Sequence, residues 1–599
     1  MASRIEDYGL IGDTKTAALV SKSGSIDWFC PPNFDSDACF ASLLGYDEHG
    51  HWSIRPATRI RKITQRYAEN SLVLITDFEC DGGSVRLTDF MPIHPERTDI
   101  VRVLEGLEGS VPFQMILNAR FGYGANAPWI VPNGDKLVLT AGPDALCLRG
   151  IATEPIDKTL VANLEIAKGD KIELQLAWFA SHRTPPAALD VSGELKRTLD
   201  FWKQWTRQIK YEGPYHDAVV RSLITLKALT FSPTGAVVAA PTAGLPEEIG
   251  GSRNWDYRFC WIRDASLTLR ALLLCGLRDE ATSFRDWLLR AVAGAPDDMQ
   301  IMYNVHAGRR LTEFELPWLP GYEASRPVRI GNAASEQFQL DIYGEVADTL
   351  YQARRLGMPP AENAEEMGRA LVSHITKVWQ REDDGIWEVR GGRKHFTHSK
   401  LMAWVAMDRL VKVLESSGAK ADTMKYLPSL RALRERIFEE VCERGYNRRV
   451  GAFTQFYGGE VLDAAVLLIP QMGFLPASDP RVRGTVAAIE KGLVRDGFVM
   501  RYATEHGVDG LAGTEGAFLA CSFWLADNYF YAGRKQEGEE LLARLVGLQN
   551  HLGLWAEEYE PRLQRQIGNF PQGFSHLAFV NTVHVLKENA KAEQRVAAE

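Results

Sequence analysis

Cysteine is scarce in this chain and never has the paired spacing of a redox or metal site. Eight cysteines are scattered over 599 residues without a C-x-x-C pair. This pattern argues against a disulfide framework and a cysteine-ligated zinc centre, because both need cysteines at short, regular spacings. His395 and His398 are three residues apart, but no third ligand is spaced to join them. We therefore expect reduced thiols, as in a cytoplasmic protein, and no metal site.

Long hydrophobic runs and an excess of positive charge are also absent, and we expect no N-terminal signal peptide. The longest apolar runs, 271–277 and 464–469, are far shorter than the roughly 20 residues that span a bilayer. The first residues contain no apolar core of a signal peptide. A net charge of −9 and a pI near 5.9 argue against nucleic acid or an anionic membrane as a partner. No phosphate-binding glycine loop is present, which argues against nucleotide chemistry.

The hydrophobic pattern divides the chain, which is too long for one compact core, into two main parts. From about residue 8 to 182, short runs alternate apolar and polar residues between turn residues. Val85 with Leu87, and Ile172 with Leu174, illustrate this period of two. Repeated short strands with frequent turns predict an antiparallel β-sandwich.

From about residue 214 the apolar period changes to 3.6, which predicts helices. About eleven helices can be counted, and the long loops leave room for one more. No strand pattern alternates with them, so the count predicts a ring of helical hairpins with its loops on one face. We assign 1–184 to the β-sandwich, 185–213 to a helical linker, 214–590 to the helical domain and 591–599 to a tail.

The densest chemical motif lies at 250–266, directly before a predicted helix. It contains Trp255, Tyr257, Trp261 and the pair Arg263-Asp264. Aromatic rings pack on the apolar face of a pyranose, while arginine and aspartate bond its hydroxyl groups. A helix entry with a buried ion pair would explain the composition equally well. Two further segments of similar character favour a sugar-binding site.

Those two segments each carry a glutamate near a tryptophan, in a loop that precedes a helix. Glu388 follows Trp387, and Glu557 lies two residues after Trp555. Loops on a rigid scaffold are common places for catalytic groups, and an indole against a carboxyl raises its pKa. Two carboxyl groups flanking one sugar are what glycoside hydrolysis requires. Either glutamate alone could instead be a solvated loop charge.

Three stretches of the chain resemble glycoside hydrolase family 15, which contains inverting glucoamylases and bacterial and archaeal trehalases. The resemblance extends over nearly the whole chain, and its stretches are 5–13 with 25–29, 254–258 with 261–265, and 568–572 with 574–577. It implies an antiparallel β-sandwich followed by an (α/α)6 barrel, in agreement with the helix count. It implies no cofactor.

The resemblance also implies roles for the two glutamates. A Trp-Glu loop supplies the general acid in the family, which matches Glu388. Fungal members carry a second glutamate next, where this chain has Val389. The base lies in a Ser-Glu-Gln/Glu element, which favours Glu557. Glu558 is the competing assignment, because the serine of that element is absent here.

The remaining sugar contacts follow from the same motifs. A Trp-x-Arg-Asp element holds the terminal glucose in the family, which matches Arg263 and Asp264. The loop 321–332 resembles another sugar-binding loop, although Tyr322 could equally be a packed aromatic and Glu515 a helix cap. The predicted substrate-binding residues are Trp255, Tyr257, Trp261, Arg263, Asp264, Tyr322, Arg326, Trp387, Glu515 and Trp555.

The sequence thus predicts an exo-acting α-glucosidase that inverts the anomeric centre. Its substrate would be maltose, isomaltose or a longer α-glucan, with β-glucose released; trehalose is the alternative. Inversion needs room for a water molecule, so we expect the two carboxyl groups to be about 6.5–9.5 Å apart. A sugar phosphorylase and a non-catalytic sugar-binding protein are further alternatives. A small carbohydrate is the expected partner, and a homo-oligomer is compatible with the sequence.

Overall fold

The computed structural model describes residues 2–362, 364–416, 426–504, 507, 509–511 and 513–598, with 592–598 described by their backbone. Strands fill the N-terminal part and helices the C-terminal part, as predicted. Among these residues, no helix is both long and apolar enough to cross a bilayer.

The N-terminal part is a sandwich of two antiparallel sheets that share one long strand. One sheet has the order β1-β2-β3-β4-β8-β13-β12, and the other has the order β5-β6-β7-β8-β14-β11-β10-β9. The strands are β1 (Tyr8–Gly12), β2 (Ala17–Ser21), β3 (Ser25–Phe29), β4 (His51–Pro56), β5 (Ile60–Tyr67), β6 (Leu74–Cys80), β7 (Gly83–Phe90), β8 (Thr98–Asn118), β9 (Trp129–Asn133), β10 (Lys136–Ala141), β11 (Asp144–Arg149), β12 (Pro155–Ile156), β13 (Thr159–Ala167) and β14 (Lys171–Ala180).

The long strand β8 changes sheets near its middle. Its first half pairs with β7 and β14, and its second half pairs with β4 and β13. At the change, Gly109 has a φ of 66°, and a Cβ there would lie 1.9 Å from the carbonyl oxygen of Gly82. Only glycine therefore fits this position. Apolar and polar side chains alternate along β8 before and after this change. Leu104 of β8 pairs with Leu87 of β7, and both side chains are buried in the core.

A helix, α1 (Val191–Thr206), joins the two parts. The Asp190 side chain caps it by accepting a hydrogen bond from the Gly193 N–H at 3.1 Å. Trp202 and Trp205 are buried, and the Trp205 indole N–H donates to Glu280 Oε1 at 2.5 Å. The linker therefore packs against the helical domain.

The helical domain is built from two concentric rings. The helices are α2 (His216–Ala228), α3 (Ala265–Leu274), α4 (Arg278–Ala291), α5 (Asp341–Arg355), α6 (Ala364–Val378), α7 (Thr397–Ser416), α8 (Leu427–Glu440), α9 (Pro480–Gly492), α10 (Leu519–Tyr531), α11 (Lys535–Val546) and α12 (Gly573–Ala598). The inner ring runs through α3, α5, α7, the short 3-10 helix Ala464–Leu468, α10 and α12, which contacts α3 again. The outer ring contains α2, α4, α6, α8, α9 and α11, each packed on an inner neighbour.

Among the described residues, the two rings together contain twelve helical positions, six in each ring. This arrangement is an (α/α)6 barrel, which confirms the predicted fold. The twelfth position is the short helix Ala464–Leu468. All five of its residues are apolar, and such a short apolar run is equally compatible with a buried strand when only the sequence is considered. Apolar character is highest in the inner ring, where eleven of the thirteen residues of α10 are buried. The tail expected from residue 591 is instead a continuation of α12 to Ala598, and residue 599 lies outside the described part.

Short antiparallel strands lie in the barrel loops, where the sequence pattern predicted none. They are β15 (Thr230–Phe231), β16 (Ala236–Val237), β17 (Ala243–Pro246), β18 (Asn254–Asp256), β19 (Cys260–Trp261), β20 (Met302–Tyr303), β21 (Phe314–Glu315), β22 (Arg329–Ile330), β23 (Tyr446–Asn447), β24 (Ala452–Phe453), β25 (Val494–Arg495), β26 (Phe498–Val499), β27 (Ala517–Phe518), β28 (Glu558–Glu560) and β29 (Arg565–Ile567). Strands of two to four residues are too short for a repeating pattern to be recognised in the sequence. Several of them support the site described next.

Candidate active site

A pocket with an empty volume of about 550 Å³ opens among the barrel loops. Five predicted residues line it, namely Trp255, Tyr257, Arg263, Trp387 and Glu388. Sequence reasoning missed six further polar or charged residues of the wall, namely Glu247, Arg253, Asn332, Arg390, Arg501 and Tyr502. They come from four separate loops. Arg253 and Asn332 lie within stretches that the sequence had marked, whereas the fold alone brings Glu247, Arg501 and Tyr502 to the site.

Glu388 lies in the loop before α7 with its backbone in the left-handed region, at a φ of 57°. This conformation is costly for a residue other than glycine. Two hydrogen bonds hold it. The Glu388 N–H donates to the Gly385 carbonyl at 3.1 Å, and the Gln337 side chain donates to the Glu388 carbonyl at 3.1 Å. Strained residues of this kind are concentrated at active sites.

Within the part of the chain that the structure describes, hydrogen bonds hold the Glu388 carboxyl through its Oε1. Its Oε1 accepts a hydrogen bond from the Trp261 indole N–H at 2.6 Å and another from Arg263 Nη1 at 3.1 Å. The expected indole partner was Trp387, but the Trp387 N–H donates to Asp463 Oδ1 at 2.8 Å instead. With two donors on Oε1, a proton on this carboxyl belongs on Oε2.

Glu557 immediately precedes β28 and is almost fully buried. Its backbone is fixed on both sides, because its N–H donates to the Asn569 carbonyl and its carbonyl accepts from the Leu519 N–H. Its Oε2 accepts from the Asn569 N–H at 3.3 Å. A Cβ at Gly568 would lie 2.7 Å from that same oxygen, so glycine is needed for this close approach. Among the described residues, Oε1 accepts no well-formed hydrogen bond.

The environment of Glu557 favours its neutral form. Burial and the nearby charge of Glu247 raise the pKa of Glu557 to about 8, while Arg501 and the hydroxyl of Tyr257 oppose the rise. Burial raises the pKa of the Tyr257 hydroxyl well above its usual range, and the charges of Glu557, Glu247 and Glu388 add to this rise.

Glu558, the competing base, belongs to a different cluster. Its Oε1 lies 3.5 Å from Arg501 Nη2, which also contacts Glu247 at 2.9 Å and Glu515 at 2.6 Å. Oxygen atoms of these three glutamates lie within 4.8 Å of one another, a spacing compatible with a cation. The guanidinium of Arg501 provides the positive charge there. Glu515 is thus a partner of buried arginines and is not among the pocket-lining residues.

Four residues of the motif at 250–266 line the pocket, namely Arg253, Trp255, Tyr257 and Arg263. The guanidinium groups of Arg329 and Arg390 lie 4.7 and 4.5 Å from the ring centre of Trp255. Arg263 Nε lies 3.3 Å from Asp264 Oδ1, and its Nη1 also donates to the Ile386 carbonyl at 2.9 Å. Arg263 thus joins the motif to the loop of Glu388.

Six of the ten predicted substrate-binding residues do not line the pocket. Trp261 and Asp264 contact the pocket residues Glu388 and Arg263, and Glu515 belongs to the Arg501 cluster. The predictions for the other three are corrected. Trp555 is fully buried, and its indole N–H donates to the Leu545 carbonyl at 3.0 Å, so it is a core residue. Tyr322 is buried, and its hydroxyl bonds with the Ser3 carbonyl and Arg565. Arg326 is exposed and donates to the Pro320 carbonyl at 3.2 Å.

Two family models match this chain. Glycosyl hydrolases family 15 matches residues 213–584, and the trehalase-like N-terminal model matches residues 1–175. The trehalase of Mycolicibacterium smegmatis is 37% identical over 98% of this chain and 92% of the relative. That of Mycobacterium tuberculosis is 36% identical over 98% and 90%, and that of Thermoplasma volcanium 33% over 98% and 94%.

Among solved structures, a bacterial glucoamylase complexed with acarbose aligns over 99% of this chain and 94% of its own. Its TM-score is 0.73 at 13% sequence identity. A kojibiose phosphorylase from the human microbiome aligns over 97% and 86% with a TM-score of 0.55 at 10% identity. At these identities the likeness concerns the fold alone.

The β-sandwich, the (α/α)6 barrel and the carboxyl-lined pocket define a glycoside hydrolase. The chain belongs to glycosyl hydrolases family 15, since the family model covers most of it and trehalases above 30% identity align along nearly its whole length.

Proposed function

We propose that the protein is an inverting trehalase. The observation that carries this proposal is the near full-length similarity to trehalases at 37%, 36% and 33% identity, from two bacterial genera and an archaeon. The sequence alone favoured maltose, isomaltose or α-glucan as substrate. That preference has less support, because the glucoamylase likeness at 13% identity concerns only the fold.

Glu388 is the proposed general acid. Its Oε1 is held by Trp261 and Arg263, so the proton on Oε2 is free to pass to the glycosidic oxygen. As that proton transfers, the bond between the anomeric carbon and the oxygen breaks, and the second glucose leaves with an intact hydroxyl. Arg263 then stabilises the carboxylate that remains.

Glu557 is the proposed general base. Its Oε2 is anchored by the Asn569 N–H, which leaves Oε1 to accept a proton from water. The water oxygen forms the new bond to the anomeric carbon from the face opposite the leaving group. Hydrolysis of an α,α-linked disaccharide in this way gives one β-glucose from the attacked ring and one α-glucose from the leaving ring.

A substrate panel tests the proposed specificity. Initial rates of glucose release are measured on trehalose, maltose, isomaltose and starch at equal concentration, with and without added phosphate. We expect trehalose to be the best substrate, because the relatives that align along the whole chain are trehalases. A preference for maltose or starch would restore the glucoamylase-like assignment, and release of glucose phosphate would indicate a phosphorylase.

A further inference from the structure

The guanidinium of Arg258 is buried at the junction of the two domains and bonds with both of them. Within the motif it forms a two-pronged pair with Asp256, from Nε at 2.9 Å and from Nη2 at 2.7 Å. On the sandwich side it donates to the Ser36 carbonyl at 2.7 Å and to the Tyr123 hydroxyl at 2.8 Å. A buried charge of this kind is stable only because its donors are paired.

Asp256 extends the connection to a second loop of the pocket. Its Oδ2 accepts from the Gly331 N–H at 3.1 Å, and its carbonyl accepts from the Asn332 side chain at 3.5 Å. Asn332 itself lines the pocket. The Arg258–Asp256 pair therefore fixes two loops of the pocket wall relative to each other.

Side-chain alternation along this short extended segment separates its two functions. Trp255 and Tyr257 line the pocket, while Asp256 and Arg258 are buried among the domain contacts. Successive side chains of an extended segment point to opposite faces. Pocket residues therefore alternate with the Asp256–Arg258 pair along 255–258, which begins in β18 and continues beyond its end. A shift of Arg258 would thus move the aromatic wall directly.

We propose that Arg258 is a positioning residue through which the N-terminal sandwich holds the aromatic wall of the pocket in place. A second interdomain bond supports this, since the Trp28 indole N–H donates to the Pro241 carbonyl at 2.8 Å. The proposal rests on the proposed function, because the rate of trehalose hydrolysis is the quantity that would change if the aromatic wall moved. It makes the sandwich part of the catalytic apparatus.

Kinetics of Arg258→Lys test the proposal, because lysine keeps the charge and loses the planar fork. The matched control is Arg102→Lys. Arg102 is equally buried and pairs with Asp89 through Nε at 2.7 Å, but its bonds stay inside the sandwich. Both variants are assayed well below their melting temperatures. We expect kcat/KM on trehalose to fall roughly 10- to 100-fold for Arg258→Lys and to stay within about 2-fold for Arg102→Lys.

A second pair of variants, with smaller changes, is used if Arg258→Lys does not fold. Tyr123→Phe removes one hydroxyl that accepts from Arg258, and we expect a loss of roughly 3-fold in kcat/KM. Tyr67→Phe keeps the ring that faces Arg221 of α2 and removes a hydroxyl whose hydrogen bonds, among the described residues, are with the Leu10 backbone in the sandwich, so we expect no change. A rise in KM with an unchanged melting temperature in Tyr123→Phe would separate positioning from stability.

Equal losses in each variant and its control would overturn the proposal, as would wild-type kcat/KM in Tyr123→Phe and in a folded Arg258→Lys. Failure of the proposed function gives a different result, because wild type would then be inactive on trehalose. In that case the same four variants are compared on the α-glucoside that wild type does hydrolyse.

Discussion

At the scale of single residues, the two candidate catalytic carboxyl groups differ in which oxygen the protein holds. Arg263 and Trp261 fix Glu388 Oε1, and the Asn569 N–H fixes Glu557 Oε2. The fixed oxygen of Glu388 contacts a cation, whereas Glu557 is buried near another carboxyl. A substrate whose hydrolysis needs only one of the two groups therefore distinguishes the general acid from the general base.

Glu388→Gln should hydrolyse trehalose at least roughly 100-fold more slowly than wild type, because it cannot protonate the leaving oxygen. It should retain more activity on α-glucosyl fluoride, since fluoride leaves without a proton. Glu557→Gln should lose both activities, because no water is activated. Initial rates on the two substrates are the measurement.

Glu558→Gln is the control for the base assignment. It is adjacent in sequence and equally buried, but it belongs to the Arg501 cluster. If Glu557→Gln keeps its fluoride activity and Glu558→Gln loses it, the base is Glu558. If Glu388→Gln hydrolyses trehalose at the wild-type rate, the acid is another residue.

The pH dependence of kcat/KM should reflect the raised pKa of Glu557. A base must be ionised, so activity is lost as the pH falls through this pKa, which burial and Glu247 raise from 4.5 to about 8. We expect the acid limb of the profile well above the usual range of a glutamate. Because Glu247 and Glu557 interact, the observed pKa belongs to the pair.

Glu247→Gln should move that acid limb to lower pH by roughly one unit, because a neighbouring negative charge is removed. Glu515→Gln is the matched control. It removes a carboxylate from the same Arg501 cluster, but Glu515 is not among the charges that raise the pKa of Glu557. An acid limb that stays in place in Glu247→Gln would show that Glu247 does not set the protonation of the base.

At the scale of elements, strongly periodic segments were predictable and short ones were not. The alternation in 8–182 and the 3.6 period after 214 gave the sandwich and eleven barrel helices, because each pattern repeats over many residues. The 3-10 helix Ala464–Leu468 and the loop strands were missed, since a period cannot repeat often enough within two to five residues to be recognised.

The site could be predicted only where its residues are close in sequence. The motif at 250–266 and Glu388 were found because aromatic and charged residues lie side by side. Arg501 and Glu247 were missed, because 254 residues separate them and their contact of 2.9 Å exists only in the fold. Trp555 was misassigned since an indole beside a loop glutamate has the same sequence signature in a core as in a pocket.

His576 joins three elements where the barrel closes, and its charge state should affect stability. Its Nε2 accepts a hydrogen bond from the backbone N–H of Trp555 at 3.4 Å, and its Nδ1 bonds with the Ser222 hydroxyl of α2 at 3.0 Å. Because Nε2 accepts, the ring must be neutral. Burial lowers the pKa of His576 to about 3. The unfolded chain binds a proton below about pH 6.5, so stability falls as the pH drops below that value.

His576→Asn should therefore be less stable than wild type at pH 7 but lose less stability between pH 7 and pH 5. The melting temperatures of both proteins at the two pH values measure this. His551 is exposed and its ring bonds with the Gln65 side chain at 2.9 Å, so His551→Asn controls for a histidine outside the barrel closure. Equal losses in wild type and His576→Asn would assign the pH dependence to other groups.

At the scale of the whole molecule, the resemblance of the sequence to family 15 predicted both domains and their order. What it could not give is how the domains act together, since Arg258 contacts Ser36 and Tyr123 across more than a hundred residues of chain. Substrate choice was also beyond the motifs at the first sugar. Asn332 and Arg390 of the pocket wall lie in loops that the motifs marked, but the motifs do not show which sugar these side chains contact, and Arg501 lies outside all of the motifs.

Time-resolved proton NMR of trehalose hydrolysis tests the central claim most directly. The anomeric signals of the glucose formed in the first minutes are integrated before mutarotation equalises them. An inverting trehalase gives α- and β-glucose in equal initial amounts, because one ring is inverted and the other leaves unchanged. Initial formation of α-glucose alone, or no glucose from trehalose at all, would contradict the account.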